Sequence, residues 1–136
     1  MSYGTGAALQ AAVYQRLTAD STLAALVGTD IYDSAPPGAL PGTFVSLGPE
    51  EVRDRSDKSG HGALHMFTVS VVSDAAGFQS AKTIAAAISD ALQDAQLLLS
   101  RGKLIYLRFQ RATARRVGSG DIRRIDLSFH ARVEDN

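Results

Sequence analysis

Arg124-Ile125-Asp126-Leu127-Ser128-Phe129-His130-Ala131-Arg132-Val133-Glu134 is the stretch on which the fold turns. Ile125, Leu127, Phe129, Ala131 and Val133 alternate strictly with polar or charged residues. A period of two places one set on a dry face and the other in water, so this stretch predicts a strand. Upstream, Leu104 to Gln110 alternates less cleanly, with Ile105, Leu107 and Phe109 on one face and Leu104, Tyr106, Arg108 and Gln110 on the other. Val117-Gly118-Ser119-Gly120-Asp121 lies between, and its glycines supply the positive φ of a tight reversal. Leu104 to Glu134 therefore predicts a long antiparallel hairpin, about a dozen residues per strand against the usual five or six. Strands of that length suggest a sheet that reaches beyond its own core, towards other subunits.

Working outward, Thr43 to Leu47 and Ala63 to Ser73 also predict strands; in the second, Phe67, Val69 and Val71 share a face opposite Met66, Thr68 and Ser70. Leu9, Val13 and Leu17 recur at helical spacing after Thr5, a plausible N-cap. A second helix follows Ser73 or Asp74 as cap, with Ala81, Ile84, Ala85, Ile88 and Leu92 as its dry stripe. A leucine-rich end at Gln96 to Ser100 follows it and stops at Gly102. Asp20-Ser21 caps a short turn, and Ile31-Tyr32 is a brief extended piece. Asp33 to Gly42 holds three of the chain's four prolines and reads as a stiff connection. Gly48-Pro49 interrupts the first short strand. The expected architecture is α+β, one domain over residues 1–136: a four-stranded, mainly antiparallel sheet with two helices on one face, in the order α-β-β-α-β-β.

Composition narrows the function. There is no cysteine, hence no disulfide framework and no thiolate chemistry. No apolar run reaches a membrane span, and the N-terminus lacks a signal-peptide pattern, so a soluble protein used without secretion and without a membrane partner is expected. Net charge is zero, but residues 1–100 carry five basic and ten acidic residues, and residues 101–136 carry nine and four. Overall neutrality argues against a protein that wraps nucleic acid. The uneven halves suit a subunit meeting copies of itself, acidic surface to basic surface, as well as merely solvated faces.

No catalytic constellation emerges. Gly4-Thr5-Gly6 and Gly118-Ser119-Gly120 lack the rest of a phosphate cradle, and Gly102-Lys103 is followed by Leu104. His61 and His65 sit at a loop-to-strand entry with no further ligand beside them, which favours a structural or surface role over metal. His130 stands alone on a wet face. Adjacent Glu50 and Glu51 read as solvated charge in a flexible loop. No enzyme activity, cofactor or metal is therefore expected. Two sets of residues remain. Arg108, Arg111, Arg115, Arg116, Arg123 and Arg124 are expected to crowd the turn end of the hairpin, facing DNA phosphates, an acidic protein surface or plain solvent. Residues 50–62, with Glu50, Glu51, Arg53, Asp54, Arg55, Asp57 and Lys58, form a charged loop or protruding hairpin tip.

Several pieces, in order, carry a resemblance. They are Leu9 to Leu17; Leu26-Val27-Gly28, Ile31-Tyr32-Asp33 and Ala35-Pro36-Pro37; Phe44 to Gly48; Ala81 to Leu92; and Arg123 to Phe129. Together they resemble the tail-completion or tail-terminator proteins of long-tailed phages and phage-derived particles such as gene transfer agents, a family once known only as a domain of unknown function. The resemblance implies a structural virion protein: a ring, commonly a hexamer, at the head-proximal end of the tail tube, assembled in the host cytoplasm. It would stop tube polymerisation, meet the tail-tube protein and the head-completion or connector protein, and pass DNA through its lumen without reading sequence. The charged loop would then contact a neighbour or the tube, and the arginines an acidic partner or the channel. A head-completion or tail-tube ring protein, or a small DNA-binding module, are the alternatives.

Overall fold

The computed structural model describes residues 3–33, 40–58, 60–118 and 120–135. Most of the proline-rich connection and Ser119 of the hairpin turn lie outside the described residues. Three helices and five strands follow one another: α1 (Gly6–Ala19), α2 (Ser21–Val27), β1 (Ile31–Tyr32), β2 (Thr43–Asp54), β3 (His61–Ser73), α3 (Gln79–Leu92), β4 (Lys103–Val117) and β5 (Ile122–Asp135). The strands form one sheet in the order β1-β2-β3-β5-β4. Only the β1–β2 pair is parallel.

Alternation decides which face is covered. Phe67, Val69 and Val71 of β3 pair with Phe129, Leu127 and Ile125 of β5, and all six are buried. Against this face packs the stripe of α3, with Ala81, Ile84, Ile88 and Leu92 buried, while Leu9, Val13 and Leu17 of α1 and Leu23 and Val27 of α2 complete the core. The alanines of α3 let its axis lie close to the sheet. Phe129 stacks on Phe67 at 5.5 Å between ring centres and meets Phe109 edge-on at 5.9 Å, tying three strands together. Among the described residues, the other face of the sheet carries no helix.

Several expectations are corrected. The sheet has five strands because Ile31-Tyr32 pairs with Val45-Ser46. There are three helices because the Asp20 side chain accepts the Leu23 N–H at 2.9 Å and starts α2. Gly48-Pro49 does not end β2: the strand bulges between Leu47 and Glu50, and β1 no longer pairs there, so the missing proline N–H lies in a bulge beside an unpaired edge. The charged stretch is therefore a strand arm through Asp54, and among the described residues the tip is 55–58 and 60. Thr5 occupies the N-cap position of α1 without capping it. Neither Ser73 nor Asp74 caps α3; Phe78 holds that position, and Ser73 Oγ instead accepts the Ala75 N–H. The leucine-rich stretch is irregular, since α3 ends at Leu92 and Asp94 turns the chain at a φ of 56°. Gly102, at a φ of 81°, then directs it into β4. Bulges at Leu104/Tyr106 and Phe109/Arg111 explain the poor alternation of β4: Leu107 and Phe109 share the helix side, while Ile105 falls in a bulge and is exposed.

Candidate interaction surfaces

The six hairpin arginines do not form one cluster. Residues paired across an antiparallel ladder share a face. Arg108 pairs with His130, Arg111 with Ser128 and Arg115 with Arg124, which puts these four arginines on the helix-free face. Arg116 pairs with Arg123, and both lie on the helix side. Only Arg115, Arg116, Arg123 and Arg124 stand near the turn; Arg108 lies halfway along the strand, its guanidinium 4.1 Å from the centre of the Tyr106 ring. Strand alternation alone separates Arg116 from Arg111 and Arg115; the bulge at Phe109/Arg111 decides which of them share the face of Arg108, because one extra residue moves everything beyond it to the opposite face.

Three of the six, Arg115, Arg123 and Arg124, are tied to other groups of the fold. Arg124 Nε donates to Asp126 Oδ1 at 2.9 Å and its Nη2 to Ser70 Oγ at 3.2 Å. Ser70 Oγ in turn donates to Asp126 Oδ1 at 2.6 Å, and Arg115 reaches Asp126 Oδ2 at 3.5 Å. Burial pushes the Asp126 carboxyl up, but the Ser70 and Arg124 hydrogen bonds and the two guanidinium charges outweigh it and hold it below the usual carboxylate range. Arg123 donates to the Ala75 carbonyl at 3.3 Å and lies over the Phe78 ring, clamping the hairpin turn to the entrance of α3. Arg111 and Arg116 are exposed and have no partner among the described residues. Arg111, Arg115, Arg124, Asp126 and Ser128, with Pro49, Thr68 and Thr113, line a shallow polar depression of about 440 Å³ on the helix-free face.

The second predicted set also separates. Glu50 falls on the helix side of β2, where its Oε1 accepts the Tyr3 hydroxyl at 2.6 Å and its Oε2 lies 3.3 Å from Nδ1 of His65. His65 is fully buried, and Thr5 Oγ1 lies 3.4 Å from its Nε2. Glu50 is thus a structural partner and not free solvated charge, and it raises the Tyr3 hydroxyl pKa by accepting its hydrogen bond. The buried histidine holds the start of α1 to β2 and β3, which agrees with the structural role expected for it. Glu51 and Arg53 point away from the core and form an exposed 3.6 Å ion pair. At the tip, Asp54 accepts from Ser56, whose hydroxyl and backbone N–H hold its carboxyl low. Arg132, not singled out from sequence, donates to the Arg55 carbonyl at 2.8 Å and pins the tip to β5.

Charge is sorted by sheet edge. β4 carries Lys103, Arg108, Arg111, Arg115 and Arg116 and no acid. At the opposite edge, residues 17–52 contain Asp20, Asp30, Asp33, Glu50 and Glu51 and no lysine or arginine. Beyond Phe109 the outer edge of β4 has no partner among the described residues, and all residues from Arg108 to Arg116 are exposed. Nearer its start, the Leu107 carbonyl accepts the Asp94 N–H and the Phe109 N–H donates to Gln93 Oε1, both at the 93–94 turn. Between residues 94–99 and the start of β4 runs a groove of about 600 Å³, with Leu98 almost fully in water on its rim. Among the described residues no group of three or more His, Cys, Asp or Glu is placed to hold a metal, and no helix is long and apolar enough to cross a membrane.

Oppositely charged margins on the two edges of one sheet are compatible with contact to other protein surfaces. Residues 11–134 match the family described as Tail completion protein gp17, and the chain belongs to that family, whose members are structural and not enzymatic. Its fold superimposes on a chain from a structure titled "Virion of native gene transfer agent (GTA) particle" with a TM-score of 0.93 and 65% sequence identity, covering 98% of this chain and 99% of that one. No curated protein shows significant similarity to it.

Proposed function

We propose that this protein is a tail completion subunit of a gene-transfer-agent-like virion and acts as a terminator, forming a ring, a hexamer, on the head-proximal end of the tail tube. The observation that carries this reading is the near end-to-end likeness, at 65% identity, to a chain of a gene transfer agent particle. The ring stops tube polymerisation and presents its free side to the head-completion or connector protein, and DNA passes through the lumen without sequence-specific contact. Arg111 and Arg116, the arginines of the set not engaged by other side chains, are its exposed contact points, and the 55–60 tip reaches a neighbouring subunit or the tube. The dipolar, overall neutral surface suits protein partners better than a nucleic acid duplex.

Light scattering after size exclusion, with and without the tail-tube protein, tests the ring. A discrete ring, formed alone or on the tube, is the expected result. Electron microscopy of particles from a strain lacking the protein tests the terminator role: overlong or headless tails are expected, and normal joined particles would refute it.

A further inference from the structure

From the two charged margins we infer that copies of this chain join head to tail, the basic β4 edge of one copy docking on the acidic α2–β1–β2 margin of the next. The inference rests on the ring reading and names the surfaces that would build it. The two margins belong to the two ends of one sheet, since β1 and β4 are its terminal strands. One carries five basic residues and no acid; the other draws on residues 17–52, which hold five acids and no base, with Glu50 engaged by Tyr3 and His65 and Glu51 paired to Arg53 just beyond. A contact between different edges of the same molecule is heterologous, and a heterologous contact repeated with a closing rotation makes a ring.

Three further observations favour a second copy as the occupant. Two β4 edges cannot pair with each other, because five positive charges would face five, so the isologous dimer that an exposed edge strand invites is disfavoured. The helix side of β4 beyond Leu107 is an unroofed shelf of Phe109, Ala112 and Ala114, all exposed, where small side chains allow another backbone to approach closely. The acidic margin offers its own exposed apolar residues, Leu26 and Leu40, which supply burial opposite that shelf. The charge pairing sets direction and register; the apolar contact supplies the area.

A charge-swap pair of variants of the full-length protein tests this. R111E/R116E lowers the β4 charge from +5 to +1 at two exposed arginines with no partner among the described residues, and D33K/E51K reduces the charge of residues 17–52 from −5 to −1 at two exposed acids. Thermal melting and circular dichroism first establish that each variant is folded. Assembly is then followed by light scattering over a concentration series, with and without the tail-tube protein, wild type alongside. Each variant alone is expected to assemble at least ~tenfold more weakly than wild type, because most of the charge attraction between the margins is removed and the swapped positions meet like charge. Mixed in equal amounts they should regain assembly, since the introduced glutamates of one meet the introduced lysines of the other and the remaining edges keep their native charges. Variants that assemble like wild type, or folded variants whose mixture does not recover, would overturn the assignment of these two margins while leaving the ring intact. A wild-type protein that forms no ring with or without the tube overturns the ring reading itself, and the docking with it.

Discussion

Replacing Asp126 by Asn should cost roughly 2 kcal/mol at neutral pH, and the cost should fade in acid. Asp126 accepts from Ser70 and Arg124 at 2.6 and 2.9 Å and meets Arg115 at 3.5 Å. Its side chain is 26% exposed, that of Arg124 33% and that of Arg115 52%. A charged hydrogen bond contributes about 1.5–3 kcal/mol when well buried. Partial exposure of Arg124 brings its share to about 1 kcal/mol, and the half-exposed, longer Arg115 pair adds only a few tenths. Asn retains an acceptor for Ser70 but loses the charge, about half the strength of that bond. The folded carboxyl titrates below its ordinary value of 3.8. Its contribution is therefore complete above the unfolded value and lost as pH falls through the folded one. Urea unfolding of wild type and variant at pH 7 and at pH 3 or lower measures both. A difference at pH 7 below about 0.3 kcal/mol, or one as large in acid as at neutrality, would refute the view that this carboxylate anchors the helix-free face.

Other consequences separate structural from surface residues. Phe129→Ala should lose ~3–5 kcal/mol, because the ring is fully buried against two others, whereas Phe109→Ala, 38% exposed, should lose ~1–2 kcal/mol; chemical denaturation compares them. Gly102→Ala should destabilise by more than ~2 kcal/mol, since a left-handed φ is disfavoured for alanine and its Cβ would stand 2.6 Å from Thr5 Cγ2 and 2.7 Å from the Glu134 carbonyl oxygen. A melting temperature equal to wild type would contradict this. His65→Ala should cost ~2–3 kcal/mol and free the start of α1, because it leaves a cavity and strips Glu50 of its buried partner. Limited proteolysis near the N-terminus should then run faster than in wild type. If it does not, the Thr5–His65–Glu50 contacts do not hold that segment.

How much was legible depended on whether a residue's role was set by its neighbours in sequence or across the sheet. The long C-terminal hairpin, the β3 strand and the stripe of α3 were readable because alternation and helical spacing are local properties that burial on one face imposes directly. So were the absence of a thiol or phosphate-cradle motif and the −5 to +5 division of charge. Asp126 shows the limit. It lies between Arg124 and Ser128 on a wet face, which placed it only among the polar positions of the strand; Ser70, the group that orients it, is 56 residues away and became its neighbour only through β3–β5 register.

The sequence by itself determined the α+β class, the hairpin and the supply of charged groups, because composition and periodicity are properties of the chain alone. Tertiary structure decided where those groups act. A bulge beside Phe109 put Arg111 and Arg115, and not Arg116, on the face of Arg108 and Arg124, since a single inserted residue reverses every side chain that follows it. Burial of His65 turned Glu50 from a loop charge into a structural partner. Sheet order, finally, carried the acidic and basic halves of the chain to opposite edges, because β5 inserts between β3 and β4 and leaves the basic strand outermost.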